Sequence, residues 1–243
     1  MYSSIKEKNM KVGLVIPCFN ESKRLHLNSF KSHSDLTLLF VDDGSEDNTF
    51  DFINSWSLPN AKVIRLLKNV GKAEATRIGM ISMIDFYPEL DWVGYWDADL
   101  STPLEEVENS IKYANMFFSD AQSIWCSRLL RLGSDIRRSP LRHILGRIFM
   151  TIVGYFFHET VYDSQCGAKL FKRSVVQTIF VEPFISRWIF DVEILQRAKI
   201  KHIKTIEYPL LKWEDVPGSK VKLTRTAVRV IWDLYQIKRK YRQ

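Results

Sequence analysis

Two carboxylates stand one residue apart in the stretch YWDADLSTP, at Asp97 and Asp99, directly after the apolar run WVGYW. Along an extended strand residues i and i+2 point the same way, so the pair can converge on one object. Converging carboxylates at the end of a buried strand are costly without a positive partner. A hard divalent cation is the simplest one. Two carboxylates leave most of its shell open to water and phosphate oxygens, which suits Mg2+ or Mn2+. The same stretch also reads as a helix start, because DLSTPLEE places Ser and Thr before Pro and two acids. Ser101 or Thr102 is therefore expected to cap the next helix. Such a cap leaves Asp97 unexplained. Two more polar clusters close apolar runs: Pro17-Cys18-Phe19-Asn20-Glu21 and Asp42-Asp43-Gly44-Ser45. Ligands bind at the carboxyl ends of strands in open α/β sheets, so the three clusters are expected to meet.

The elements that must position them are short buried strands alternating with helices. Apolar runs at 11–17, 36–42, 61–67 and 92–96 read as strands closed by Pro, Asp-Gly or Asp. Residues 48–55 follow a cap-rich SEDNT and read as helical, as does 73–86, with Ala75, Ile78, Gly79, Ser82 and Phe86 on one side. This alternation predicts an α/β fold with a mostly parallel central sheet covered by helices. Further along, 104–118 reads as a helix, 123–127 as a strand, 139–157 as one helix or two, and 169–171 as a short strand. Residues 190–199 read as a helix, 203–213 as an edge or bulged strand containing Pro209, and 224–241 as a basic amphipathic helix. No composition break divides the chain, so residues 1–243 are expected to form a single domain. Its nucleotide and metal half is expected at about 11–103, its acceptor half at about 104–220, and the basic helix at 221–243.

The formal net charge of the 243 residues is +7. Lys220, Lys222, Arg225, Arg229, Lys238, Arg239, Lys240 and Arg242 crowd the end of the chain against the single acid Asp233. That bias fits an anionic partner. Basic residues do not interleave with exposed aromatics, which argues against nucleic acid. Cys18, Cys126 and Cys166 have no metal-ligand spacing and are expected to be buried reduced thiols. MYSSIKEKNM lacks the apolar core of a signal peptide, and no apolar run has the roughly 18 residues of a membrane span. The expected location is cytoplasmic, peripheral on the inner face of a membrane. Along 224–241, Val228, Ile231, Trp232 and Tyr235 are expected to face the core and the cations an anionic leaflet.

The motifs IPCFNES, VDDGSEDNT, NVGKAEATRIGM and WDADLSTP stand in the order and spacing of family 2 glycosyltransferases of the GT-A fold, which this sequence resembles. DSQCGAKLFKRS, RWIFDVEIL and WEDVPGSK look like the dolichyl-phosphate β-glucosyltransferases and their bacterial relatives. The resemblance spans about residues 11–220. It implies a UDP-sugar donor, with Pro17, Phe19 and Glu21 lining the nucleoside pocket, Asp43 on the base and Asp42 supporting that loop. Asn69, Gly71 and Lys72 match the family's loop before a helix, whose N-terminus favours phosphate. Asp97, with Ala98 beside it, would face the ribose or a metal-bound water, and Asp99 would bind the metal. The implied reaction is one in-line displacement with inversion at the anomeric carbon.

Asp191 matches the family's catalytic aspartate. A sugar hydroxyl acceptor would need it as general base, whereas a polyprenyl phosphate is already ionised at neutral pH. Asp191 or Asp163 would then orient groups. Arg128, Arg138 and Arg142 are candidates for an acceptor phosphate, the last two on one helix face if 139 onward is helical. Lys169 and Lys220 sit in the family's motifs, and Lys220 lies on a Gly-containing loop that could fold over donor. Phe19 stands where the family has tyrosine, and Ala168 where it has an aromatic near the acceptor side. The implied function is transfer of a hexose, glucose foremost, to a polyprenyl phosphate or lipid-linked glycan. The alternatives are a soluble or cell-envelope polysaccharide acceptor, a haloacid-dehalogenase-type phosphohydrolase built on WDADLS, and a non-catalytic nucleotide-binding protein.

Overall fold

The computed structural model describes residues 10–56, 58–158, 161–216 and 223–241, with side chains from 229 onward in the last segment. Seven strands form one sheet: β1 (Val12–Cys18), β2 (Leu36–Asp42), β3 (Ala61–Arg65), β4 (Trp92–Trp96), β5 (Ser123–Ser127), β7 (Ala168–Lys172) and β8 (Thr205–Pro209). Their spatial order is β3-β2-β1-β4-β7-β5-β8. Only β7 runs against its neighbours, β4 and β5; the β1–β2, β1–β4, β2–β3 and β5–β8 pairs are parallel. The carboxyl ends of six strands and the start of β7 therefore share one edge. β6 (Asp135–Arg137) and β9 (Lys212–Glu214) form a separate two-stranded ribbon.

The strands formed where apolar runs stop at turn residues because both faces of the sheet are covered. Leu14, Ile16, Phe40, Trp92 and Trp96 pack one face, and Val15, Leu39, Val41, Val93 and Tyr95 the other, following the two-residue alternation of a strand. Helix α4 (Glu105–Phe117) covers the first face, and α3 (Lys72–Phe86), α6 (Arg173–Phe180) and α7 (Phe190–Ile200) the second. Short helices α1 (Leu27–Lys31) and α2 (Thr49–Asn54) fill the connections that follow β1 and β2. Helix α5 (Pro140–Phe157) packs with α7 and α8 (Leu223–Lys240) around Met150, Val153, Val192, Leu234 and Ile237.

Four expectations shift. The buried side of α3 is Ala75, Thr76, Gly79, Met80 and Met83, and Phe86 is exposed. The apolar stripe is thus rotated from the one read in the sequence. Neither Ser101 nor Thr102 caps α4; Leu104 occupies the N-cap, and Ser101 N–H instead bonds the Asp99 carboxylate at 3.1 Å. Arg138 precedes α5, whose N-cap is Ser139, so it shares no helix face with Arg142. On α8, Leu234 and Ile237 face the core, while Ile231, Trp232 (58% exposed) and Tyr235 point outward. Lys220 and the side chain of Val228 lie outside the described residues.

Candidate active site

Three loops at the shared sheet edge lace together. After β1, Asn20 adopts a left-handed backbone (φ 53°), which Asn tolerates better than most residues. Its N–H donates to Ser45 Oγ at 2.9 Å, and Glu46 N–H donates back to Asn20 Oδ1 at 2.9 Å. Glu21 N–H donates to Thr49 Oγ1 at 2.8 Å. Pro17, Phe19 and Glu21 are half-buried along this seam. After β2, Asp43 is buried and accepts from Val70 N–H at 2.7 Å and Gly71 N–H at 2.9 Å, one bond per carboxylate oxygen. Burial pushes this carboxyl up, against the pull of those two bonds and of Arg187. Gly44 (φ +65°) lies so close to Lys68 and Asn69 that a side chain there would collide with backbone. Asp42 is buried beneath, accepting from Ser45 N–H at 3.3 Å with Arg65 Nε 3.3 Å from its second oxygen.

Asp97 follows β4 and keeps sheet register one residue further, its N–H bonding Gly167 O at 3.0 Å. A side chain at Gly167 would overlap the Asp97 carboxylate, so the glycine leaves the space in which that acid sits. Lys72, at the start of α3, places its ammonium 2.5 Å from Asp97 Oδ1. Burial alone would push this ammonium down, but Asp97, Asp191 and Asp99 together hold it above its usual value. Arg24 reaches Asp99 Oδ2 at 3.7 Å and Glu21 at 2.9 Å. Ala98 is buried between the two acids. Among the described residues no three His, Cys, Asp or Glu side chains form a self-sufficient metal cage. Two hard carboxylates, with Asp99 only loosely engaged, fit Mg2+ or Mn2+ completed by water and phosphate oxygens.

On the other side of β7, Arg128 follows β5 and grips Asp163, Nε to Oδ2 at 2.6 Å and Nη2 to Oδ1 at 2.8 Å. Burial would raise the Asp163 carboxyl, yet Arg128 holds it well below the carboxylate range. Arg138 folds back over Gly146 and donates to Arg142 O at 3.1 Å. Burial and then the Arg128 charge push Arg138 below its ordinary value. Arg142 is paired with Asp215 on the exposed side. Asp191, in the first turn of α7, is buried and accepts from Tyr95 Oη at 2.5 Å and Lys169 Nζ at 2.7 Å.

The edge therefore gathers Asp43, Asn69, Gly71, Lys72, Asp97 and Asp99 with Asp191 beyond them and Arg128, Asp163 and Arg138 further along. Sequence reasoning did not select Arg24 or Arg187. Arg187 donates to Asn69 Oδ1 at 2.8 Å and fills the space beside Gly71. Arg24 had a signal in its i, i+3 spacing from Glu21 and Arg187 in its place four residues before Asp191; neither spacing names a ligand. Cys18, Cys126 and Cys166 are buried free thiols, with burial pushing Cys166 up to about 11.

A mostly parallel sheet flanked by helices, with acidic loops that meet a lysine at a helix N-terminus, is the architecture of the GT-A glycosyltransferases. The chain belongs to glycosyl transferase family 2, whose model matches residues 14–180. It is 30% identical to the dolichyl-phosphate beta-glucosyltransferase of Saccharomyces cerevisiae, over 95% of this chain and 75% of that one. The human protein of the same name is also 30% identical, over 86% and 69%. Among solved structures, glucosyl-3-phosphoglycerate synthase from Mycobacterium tuberculosis with Mn2+, UDP and phosphoglyceric acid matches with TM-score 0.66 at 16% identity, covering 94% of this chain and 78% of that one. A mannosyltransferase from Pyrobaculum calidifontis, in complex with GDP-Man and Mn2+, matches with TM-score 0.63 at 16% identity, over 95% and 63%. The enzyme is thus a glycosyltransferase with the GT-A fold. The phosphohydrolase and non-catalytic alternatives fall with the family, and the acidic pair follows the fourth strand in the chain rather than the first.

Proposed function

We propose that this glycosyltransferase moves glucose from UDP-glucose to a polyprenyl phosphate, with inversion and with a divalent cation. The observation that carries the acceptor half is the pair Arg128 and Arg138. Two guanidinium groups near one carboxylate leave net positive charge in a partly buried place, where burial first and the Arg128 charge second disfavour the charged form of Arg138. A phosphate monoester would neutralise it. The names of the relatives in yeast and human support the same acceptor.

On the donor side, Asp43 holds the Val70–Gly71 amides so that Lys72 and the first turn of α3 face a diphosphate. Phe19, Pro17 and Glu21 would line the nucleoside. Asp99, with Asp97 beside it, would hold Mg2+ or Mn2+, which would supply Lewis-acid stabilisation to the departing UDP. Lys72 adds a second positive charge to the same leaving group. Arg128 and Arg138 would hold the acceptor phosphate, of which one oxygen attacks the anomeric carbon. That oxygen is ionised at neutral pH, the second pKa of a phosphate monoester being ~6, so no proton need be removed. Asp191 then orients the attack, and Asp163 fixes Arg128. Should the acceptor instead be a glycan hydroxyl, Asp191 is the placed base.

The isoprenoid chain of such an acceptor sits in a bilayer. No helix among the described residues is long and apolar enough to cross one. Contact at the surface is supported by Leu141, Ile144 and Ile148, exposed on α5, and by Ile231, Trp232 and Tyr235 beside Arg229 and Arg239 on α8. The proposed seat is the inner membrane face. The test is thermal stabilisation by a panel of nucleotide sugars with Mn2+, followed by transfer from UDP-glucose to polyprenyl phosphate. UDP-sugars should stabilise the parent and not Asp99→Ala. A shift identical in both removes the donor site, and donor hydrolysis without glucosyl lipid removes the acceptor.

A further inference from the structure

Lys169, on the interior strand β7, has no solvent exposure. Its Cα pairs with Tyr95 on β4 and with Trp125 on β5, and cross-strand partners share one face. The ammonium accordingly lies 5.4 Å from the Tyr95 ring centre and 4.6 Å from that of Trp125. Its three N–H donors have three acceptors: Ser164 O at 3.0 Å, Cys166 O at 2.6 Å and Asp191 Oδ1 at 2.7 Å. Tyr95 Oη donates to that same Oδ1 at 2.5 Å. Both bonds thus fall on one oxygen, and among the described residues Asp191 Oδ2 receives none.

A buried charge of this kind is not needed to fill the core. Apolar side chains of similar volume are often as stabilising as a buried ion pair. What the ammonium does, and a methionine would not, is tie two backbone carbonyls and one carboxylate to one point. Ser164 and Cys166 belong to the segment 163–167. At one end of that segment Asp163 clamps Arg128, and at the other Gly167 O takes the N–H of Asp97. Asp191 belongs to α7.

We propose that Lys169, with Tyr95, is a positioning residue that aims Asp191 Oδ2 at the reacting groups and locks segment 163–167, so that the donor-side and acceptor-side groups keep one geometry. The inference rests on the reading of Asp191 as a residue at the transfer site. It is tested by a double-mutant cycle on transfer from a nucleotide sugar to polyprenyl phosphate. Lys169→Met lowers kcat by about a hundredfold and leaves the donor KM within about threefold, as expected of misplaced groups with an intact donor loop. In an Asp191→Asn background, where no unpaired carboxylate is left to unfold the chain, the same change costs less than about threefold more. Tyr95→Phe, which deletes one hydroxyl, lowers kcat by about tenfold at a nearly parental melting temperature. Additive losses in the cycle, or a Tyr95→Phe enzyme with parental kcat, overturn the inference alone. A parent chain that turns over no nucleotide sugar overturns the functional reading and this inference with it.

Discussion

Gly167→Ala should cripple transfer while leaving the fold intact. The added methyl carbon would overlap both oxygens of Asp97 and the carbon between them. Gly167 is not among the residues with left-handed backbone, so alanine meets no conformational strain there. Less freedom in the unfolded chain would even stabilise by roughly 0.4–1 kcal/mol. Asp97 is half-buried and can swing toward solvent, so unfolding free energy should change by less than about 1 kcal/mol in either direction. Relief of the overlap needs a carboxylate shift on the order of 1 Å, and such misplacement can cost a hundredfold in rate, or ~2.7 kcal/mol of barrier. Lys72, bonded to that carboxylate, is displaced with it. Initial rates over a range of donor and Mn2+ concentrations, beside a urea melt, measure both quantities. A Gly167→Ala enzyme with parental kcat refutes the steric reasoning, and so does a lost rate that comes only with a lost fold.

The Arg128–Asp163 pair makes a pH-dependent contribution to stability. Folding lowers the pKa of Asp163 below the ordinary carboxylate value near 3.9, so its contribution is fully present above that pH and is lost progressively as pH falls below it toward the folded-state value. Asp163→Asn strands a buried guanidinium and should cost about 3–5 kcal/mol at pH 7. By pH 3 the gap between parent and variant should narrow by about 1 kcal/mol in urea melts, and a constant gap speaks against the pair as its source. On α8, Trp232→Ala should weaken binding to vesicles containing anionic lipid by about tenfold at low salt, with an unchanged melting temperature. Equal binding by parent and variant would remove α8 from the proposed membrane face.

Much of the fold over residues 11–103 was legible because parallel strands covered on both faces read as unbroken apolar runs ending in turn residues. KVGLVIP, LTLLFVD and WVGYW carry no other period, and each became a strand. The reversal of β7 was not legible, since nothing local in AKLFK encodes the direction of its neighbours. Helix α6 escaped notice because its eight residues, RSVVQTIF, are short and rich in β-branched side chains that suit a strand equally well. On α8 the apolar residues form two stripes, Ile231–Trp232–Tyr235 and Val230–Leu234–Ile237. Periodicity alone does not rank them; Ser186, which donates to Asp233 at 2.5 Å, lies on the second side. The cluster around Lys169 was illegible for a different reason. Its partners come from three elements, and a lysine in a run such as GAKLF ordinarily snorkels to solvent.

The acidic pair that the sequence leaves without a positive partner turns out to have two within the chain. Lys72 meets Asp97 at hydrogen-bond distance, and Arg24 stands 3.7 Å from Asp99, beyond it. The two carboxylates are therefore unequal before any ligand arrives. Asp97 is held on one side by Lys72, on another by the space at Gly167, and its own N–H is fixed to β7. Asp99 sits in a turn with one oxygen on Ser101 N–H and the other facing a guanidinium that also serves Glu21. A group that is to exchange its protein partner for a cation arriving with a diphosphate loses less if that partner is distant and shared. This asymmetry supports the proposed division in which Asp99 is the direct metal ligand and Asp97 the acid that orients what surrounds it. Arg24, displaced from Asp99, retains Glu21 as a partner, so no buried charge is stranded by the exchange.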